Sequence, residues 1–132
     1  MSHEIVTAPE LAKPVGYAHA VVAGPGRIVH LGGQTALAPD GTIRGHTLVE
    51  QFDVAAGNVL AALRAAGGAP EHIVQMLVFV TDVGEYQASL RELGEVWKRH
   101  FGRRYPAMAL LGVSALLDEE ARVELVATAV LP

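Results

Sequence analysis

A chain of 132 residues that is 51% hydrophobic and only 18% charged is long enough for one domain but has few polar groups to cover a monomer. Its net charge of −4 at pH 7 argues against a nucleic-acid-binding surface, and the absence of cysteine excludes disulfides, thiol nucleophiles and thiolate metal sites. The N-terminus lacks the plan of a signal peptide, and no apolar run reaches membrane-spanning length. We therefore expect one domain, residues 1–132, in a cytoplasmic protein that associates with further copies of itself.

The first part of the chain reads as an arm followed by two short strands. Residues 1–14 hold two prolines and no periodicity, which indicates an N-terminal arm. Strand patterns follow at residues 16–23 and 27–31, and the turn sequence Gly24-Pro25-Gly26 joins them. The pair Gly32-Gly33 at the end of the second strand indicates a bulge or a close approach of the backbone to another group.

Two helices are predicted in the middle of the chain. Thr47-Leu48-Val49-Glu50 is a capping-box pattern, and apolar residues recur at helical spacing beyond it until Gly67-Gly68 ends the helix. A second capping signal at Asp82 opens another amphipathic helix, which Gly102 ends.

The remaining strands lie between and after these helices. Residues 73–80 are apolar on both faces except at Gln75, which is typical of a central strand, and two more strands are expected at about 107–113 and 122–130. The order β-β-(β)-α-β-α-β-β predicts an α+β two-layer domain with two helices on one face of one sheet.

The opposite face of this sheet has no helix to cover it. It would carry either the set Val74, Met76 and Val78 or the set Ile73, Leu77 and Phe79. Both sets are apolar, so either one would be exposed to water in a monomer. This pattern again predicts that other subunits cover the sheet.

No familiar chemical motif stands out in the chain. We identify no P-loop, no dinucleotide fingerprint and no metal-binding spacing among the six histidines, so no metal and no cofactor are expected. Tyr17 and His19 point to the same face of a strand and could be polar groups at a pocket mouth, although Tyr17 could equally pack at a sheet edge. Arg103-Arg104 follows a helix end, where cations favour the helix dipole.

Several segments, in this order and spacing, resemble the RidA/YjgF family over nearly the whole chain. They are Gly16–Val21, Val29–Gln34, Glu50-Gln51, Val74–Asp82 and Tyr105-Pro106-Ala107. The resemblance implies a chorismate-mutase-like α+β fold and a homotrimer with small-molecule clefts at the subunit interfaces. It also implies hydrolysis of reactive enamines and imines, such as 2-aminoacrylate, to a 2-keto acid and ammonia.

This chain departs from the family at the substrate clamp. The family's deaminases hold the substrate carboxylate with an arginine directly after the Pro-Ala of the penultimate strand, a position that is Met108 here. The next residue, a hydroxyl residue in the family, aligns with Ala109, and the glutamate of the last strand aligns with Val126. An asparagine of the second helix aligns near Gly94. The residues that match the family are Tyr17, Gly33 and, less strictly, Gln34.

Other residues of the chain could supply the missing groups. Glu124, with Tyr17 and His19, could handle a proton, so Tyr17 and Glu124 are the candidate catalytic residues. Arg122 and Glu124 could instead form an ion pair, and Arg103, Arg104 or Arg122 could replace the clamp. The candidate ligand-binding residues are Tyr17, His19, Gly33, Gln34, Met108, Ala109 and Val126.

Three functions remain open from the sequence. The first is hydrolysis of an imine or enamine-type compound other than 2-aminoacrylate, in a cleft that prefers uncharged ligands because Met108 and Val126 carry no charge. The alternative is a trimer without catalysis that binds a small molecule or a protein. A ribonuclease-type activity ranks third, because the chain is acidic and does not interleave basic and aromatic residues.

Overall fold

In the computed structural model, which describes residues 3–132, three helices cover one face of a four-stranded mixed sheet. This arrangement confirms the predicted α+β class. The strands are β1 (Glu4–Val6), β2 (Ala20–Val22), β3 (Arg27–His30), β4 (Ile73–Val80), β5 (Ala107–Gly112) and β6 (Val123–Leu131), and the helices are α1 (Leu48–Ala65), α2 (Val83–Ala88) and α3 (Leu90–Phe101). Within residues 3–132, no helix is both long and apolar enough to cross a membrane.

The four strands of the main sheet lie in the order β3-β6-β4-β5. β4 and β5 run parallel, and the other neighbours are antiparallel. The two strands predicted on either side of residues 24–26 do not pair with each other. β3 joins the main sheet beside β6, whereas β2 pairs with β1, which lies inside the predicted N-terminal arm. The arm therefore contributes a strand to a separate two-stranded ribbon.

The start of α1 is the predicted capping box. The Thr47 side chain accepts a hydrogen bond from the Glu50 amide, and the Glu50 carboxylate accepts from the amides of His46 and Thr47. These backbone hydrogen bonds hold the pKa of Glu50 below its usual range. Beyond the cap, α1 buries one apolar stripe against the sheet, with Phe52, Val59 and Leu63 almost fully inaccessible.

The predicted second helix is two helices. Asp82 caps α2 by accepting from the Glu85 amide, but Ser89 leaves the helical conformation at φ −115° and ψ 14°. The Ser89 amide closes α2 on the Tyr86 carbonyl, and the Ser89 carbonyl opens α3 on the Leu93 amide. Serine serves such a junction well because it favours helix ends over helix interiors.

Neither predicted set of β4 residues describes the uncovered face of the sheet. A register shift between Ile73 and Gln75 places Ile73 in the core beside Met76 and Val78. Leu77 and Phe79 remain on the other face, where both are half-buried. This helix-free face is therefore apolar, as the sequence predicts, but the bulge divides the predicted set that contained Ile73.

Candidate functional site

Tyr17 and Met108 lie together at the β5 edge of the main sheet. The Ala18 amide donates to the Pro106 carbonyl at 2.9 Å and Ala18 bridges Ala107, so the segment before β2 runs beside the edge strand. Gly16 adopts a φ of +75°, which only glycine adopts readily, and this turn directs the chain into that bridge. Met108 pairs with Met76 on β4 and packs against the helix side of the sheet.

A cavity of about 370 Å³ opens beside Met108, between β5 and the helices. We call it the aromatic chamber, because its walls include Tyr17, Phe52, Tyr86, Trp97, Tyr105 and Met108. Ala109 and Gly94 also line it. Among the described residues, no Asp, Glu, Lys, Arg or His side chain lines the chamber. The structure therefore brings three predicted ligand-binding residues, Tyr17, Met108 and Ala109, to one uncharged cavity.

Two aromatic rings of the chamber wall stack on each other. Trp97 stacks on Tyr105 with ring centroids 5.3 Å apart, and its indole N–H donates to the Arg104 carbonyl at 3.3 Å. Burial, and to a smaller extent the Tyr105 phenol, raises the pKa of Tyr86 above its usual value of 10.0. Tyr86 therefore stays an uncharged phenol at neutral pH.

His19 lies close to Tyr17 but is fully engaged by the N-terminal arm. Its ring centroid is 5.9 Å from that of Tyr17. The Ala8 amide donates to Nδ1 at 3.0 Å, so the proton is on Nε2, which donates to the Ala12 carbonyl at 2.8 Å. Both ring nitrogens form hydrogen bonds with the backbone of the N-terminal arm, so His19 stabilises the position of the arm.

A second group of predicted residues lies near the opposite edge of the sheet. Gln34 forms two backbone hydrogen bonds of 2.8 Å with Leu125 on β6. These bonds hold the preceding pair Gly32-Gly33 beside β6. The Glu124 carboxylate packs against Gly33, in the space where a side chain at position 33 would begin. Among residues 3–132, Glu124 has no ion-pair partner. The Glu124 carboxylate therefore lies next to the exposed backbone of Gly33.

Val126 and Glu124 share the helix-free face of β6, whereas Met108 packs on the helix side of β5. β4 lies between the two strands, so β5 and β6 are about 10 Å apart at the usual strand spacing. Within one chain, the residues Gly33, Gln34, Glu124 and Val126 therefore do not share a cavity with Met108.

The three arginines that could replace the clamp point elsewhere in this structure. Arg122 donates to Glu85 on α2 at 2.9 Å, which is an ion pair, although its partner is not Glu124. Arg104 donates to the His3 carbonyl at 3.1 Å and lines a different cavity, under the β1–β2 ribbon. Arg103 is exposed and lines neither cavity. Within one chain, the position of the clamp is occupied by Met108 alone.

Sequence reasoning missed the aromatic walls of the chamber. Tyr86 and Trp97 lie on the apolar stripe of the second predicted helix, a pattern that is typical of core residues. Tyr105 precedes the edge strand, in a Tyr-Pro-Ala segment that is typical of a strand entrance and of the family and does not by itself indicate a cavity. The signal that could have revealed the chamber is that the three tyrosines and the single tryptophan of the chain fall in only three segments: the segment before β2, the second predicted helix and the entrance to β5.

Comparisons with known proteins agree with the fold. The family model for Endoribonuclease L-PSP matches residues 7–131. Protein DfrA of Myxococcus xanthus is 32% identical over 133 residues, covering 98% of this chain and 97% of that protein. The 2-iminobutanoate/2-iminopropanoate deaminase of Capra hircus is 30% identical over 115 residues, covering 86% of this chain and 79% of that protein.

A solved structure gives the same result in three dimensions. The crystal structure of YyfB from Yersinia pestis, a protein of unknown function of the conserved Rid protein family, superposes with a TM-score of 0.89. It is 28% identical and covers 99% of this chain and 100% of its own. The matched family model, the curated relatives and this architecture establish that the chain belongs to the RidA/YjgF family.

Proposed function

We propose that the protein is a homotrimer that hydrolyses an imine or enamine lacking a carboxylate, in clefts between its subunits. The observation that carries this proposal is the Glu124 carboxylate, which packs against Gly33 without an ion-pair partner among the described residues. It lies at the opposite edge of the sheet from Tyr17 and Met108. Each chain thus offers two different half-sites, and a complete site needs one half from each of two copies.

The positions of the half-sites favour a ring. An interface that joins the β5 side of one copy to the β6 face of the next uses two different surfaces. Such heterologous contacts form a ring when the rotation between copies closes. The helix-free face, with Leu77, Phe79 and Leu111, is the apolar surface that such a ring would bury. Three copies follow from the resemblance to the family.

The chemistry follows from the groups that would meet. Glu124 takes a proton from a water molecule, the water oxygen bonds to the imine carbon, and the nitrogen receives the proton. In the resulting carbinolamine, Glu124 takes the hydroxyl proton and returns it to the nitrogen while the carbon–nitrogen bond breaks and the carbonyl forms. One imine and one water therefore give one carbonyl compound and one ammonia. Tyr17 orients the imine by a hydrogen bond. Met108 offers no charge to a carboxylate, which excludes 2-aminoacrylate as a good substrate.

The test compares two substrates under the same conditions. We expect the protein to accelerate ammonia release from acetophenone imine, which has no carboxylate, and not from freshly generated 2-aminoacrylate. The Glu124→Gln variant should lose this activity by about a hundredfold, a typical contribution of a general base. Equal activity of wild type and Glu124→Gln would contradict the assignment of Glu124.

A second candidate is a trimer that binds its ligand without catalysis. The uncharged chamber beside Met108 favours this function, because it needs no base. It predicts saturable binding of an uncharged ligand with no ammonia release. The ribonuclease type named by the matched family model ranks third. Its test is incubation with single-stranded RNA, and with the chain's net charge of −4 we expect no cleavage.

A further inference from the structure

The aromatic chamber concentrates most of the aromatic residues of the chain. The sequence contains seven of them: three Tyr, three Phe and one Trp. Five of the seven line this one cavity, including all three tyrosines. A core of this small domain needs apolar volume but not aromatic rings in particular, and the main core is built largely from Val, Leu and Ala. Phe52 and Trp97 belong to this core as well, so the aromatic residues are concentrated where the core borders the cavity.

The shape of the chamber suits a small ring. Its volume of about 370 Å³ falls near the lower end of ligand pockets in proteins. This is space for roughly a dozen waters at about 30 Å³ each, or one ring with a short substituent. The Met108 thioether at its edge adds a polarisable group that favours contact with aromatic rings.

The polar groups of the chamber are phenols. Tyr17, Tyr86 and Tyr105 all line it, and none of the hydrogen bonds between described residues uses their hydroxyl groups. Tyr17 is 37% exposed, and within residues 3–132 no buried side-chain N or O atom lacks a partner, so the three hydroxyls are accessible to solvent. They are available to a ligand as uncharged donors and acceptors.

We infer that the aromatic chamber binds an uncharged aryl group, so that the ligand of this site is an aryl compound without a carboxylate. The inference rests on the proposed function, which places the ligand beside Tyr17 and Met108. It adds that this ligand carries an aryl group. The aryl ring packs among the aromatic walls beside Met108, and its polar substituent points to the tyrosine hydroxyls. A carboxylate would lose its hydration there without gaining a cation.

Binding tests this inference without any catalysis. The probes are benzamide, benzoate, which is charged and of the same size, and cyclohexanecarboxamide, which is uncharged but not aromatic. Trp97 is the single tryptophan of the chain and lines the chamber, so its fluorescence reports binding directly. We expect a Kd for benzamide about tenfold lower than that for benzoate, and severalfold lower than that for cyclohexanecarboxamide.

Two matched variants show where the probe binds. Gly94 lies within α3 and lines the chamber, and a Cβ there would meet nothing within 4 Å. Gly57 lies within α1, does not line the chamber, and would meet only the His100 ring at 3.8 Å. Gly94→Leu should therefore fill the chamber and weaken benzamide binding by about tenfold or more, whereas Gly57→Leu should leave it unchanged.

The possible results separate this inference from the proposed function. Benzoate binding as tightly as benzamide, no benzamide binding up to millimolar concentration, or equal binding by both leucine variants would each overturn the inference. Benzamide binding that only Gly94→Leu weakens would support it, even if acetophenone imine were not hydrolysed. In that case the hydrolase proposal alone would fail.

Discussion

The Glu124 carboxylate occupies the space next to Gly33 in which a side chain would begin. The nearest atoms to a Cβ at position 33 all belong to Glu124, the flexible end of its side chain first. Gly33 has no positive φ, so the backbone itself does not require glycine here. Position 33 needs a glycine because the Glu124 carboxylate fills the space of a side chain. Gly33, which follows β3, therefore affects the position of the proposed general base on β6.

Replacing Gly33 with alanine should displace Glu124 without unfolding the protein. The carboxylate can move because it ends a flexible side chain, so we expect the melting temperature to change little. Imine hydrolysis should fall by about ten- to a hundredfold, close to the effect of Glu124→Gln. Gly32→Ala is the matched control, since a Cβ there would meet nothing within 4 Å. Full activity in Gly33→Ala would show that the carboxylate position is unimportant.

Assembly should depend on the helix-free face of the sheet. Leu111 is 41% exposed on β5 and pairs with Phe79, so a Leu111→Glu change places a charge on the proposed interface. We expect light scattering to report a trimer for wild type at micromolar concentration and smaller species for the variant. Ala61→Glu, on the exposed side of α1, is the control and should remain trimeric. A stable wild-type monomer would contradict the proposed assembly.

Introducing an arginine at Met108 should create the missing carboxylate clamp. The guanidinium would lie at the edge of a chamber with room for it and would pair with a carboxylate ligand. We expect Met108→Arg to bind 2-oxobutanoate at least about tenfold more tightly than wild type by calorimetry. Val126→Glu, which adds a carboxylate on the other half-site, should not gain this affinity. No gain in Met108→Arg would mean that position 108 does not face the ligand.

His19 should contribute to stability and not to proton transfer. His19→Ala removes two hydrogen bonds to the backbone of the arm, at Ala8 and Ala12, which together contribute about 1–2 kcal/mol. The free energy of unfolding, measured in urea, should fall by this amount while the turnover number stays unchanged. His30→Ala, at an exposed position on β3, is the control. A loss of turnover in His19→Ala with unchanged stability would return His19 to the list of catalytic candidates.

The half-buried Tyr86 phenol should make the protein less stable at alkaline pH. Burial first, and Tyr105 second, raises the pKa of Tyr86 above 10.0, so the folded state holds its proton more tightly than the unfolded chain. This contribution to stability is complete below the unfolded pKa and is lost as the pH rises through the folded pKa. Urea midpoints at about pH 8 and about pH 11 should differ less in Tyr86→Phe than in wild type or in the more exposed Tyr17→Phe. An equal change of the urea midpoint in wild type and in Tyr86→Phe would show that the Tyr86 phenol does not contribute to the pH dependence of stability.

The local features of the sequence predicted the local features of the structure. The capping box at Thr47 and the apolar stripe of α1 appear as expected, because both depend on contacts a few residues apart. The break at Ser89 and the bulge beside Ile73 were not predicted, since the helical and strand patterns continue through them. The aromatic chamber was missed because its rings come from segments that are distant in sequence and meet only through the fold.

Tyr17 of one copy and Glu124 of another should line one shared cleft in the assembly. The chain contains no cysteine, so a Tyr17→Cys protein and a Glu124→Cys protein each carry one thiol. The two are unfolded, mixed and refolded together, treated with a short bis-maleimide and separated by size under denaturing conditions. We predict a covalent dimer in the mixture and none in either protein alone, because each cleft would contain one position 17 and one position 124. The absence of a dimer in the mixture, at a mixing ratio that allows hybrid assemblies, would contradict the shared cleft.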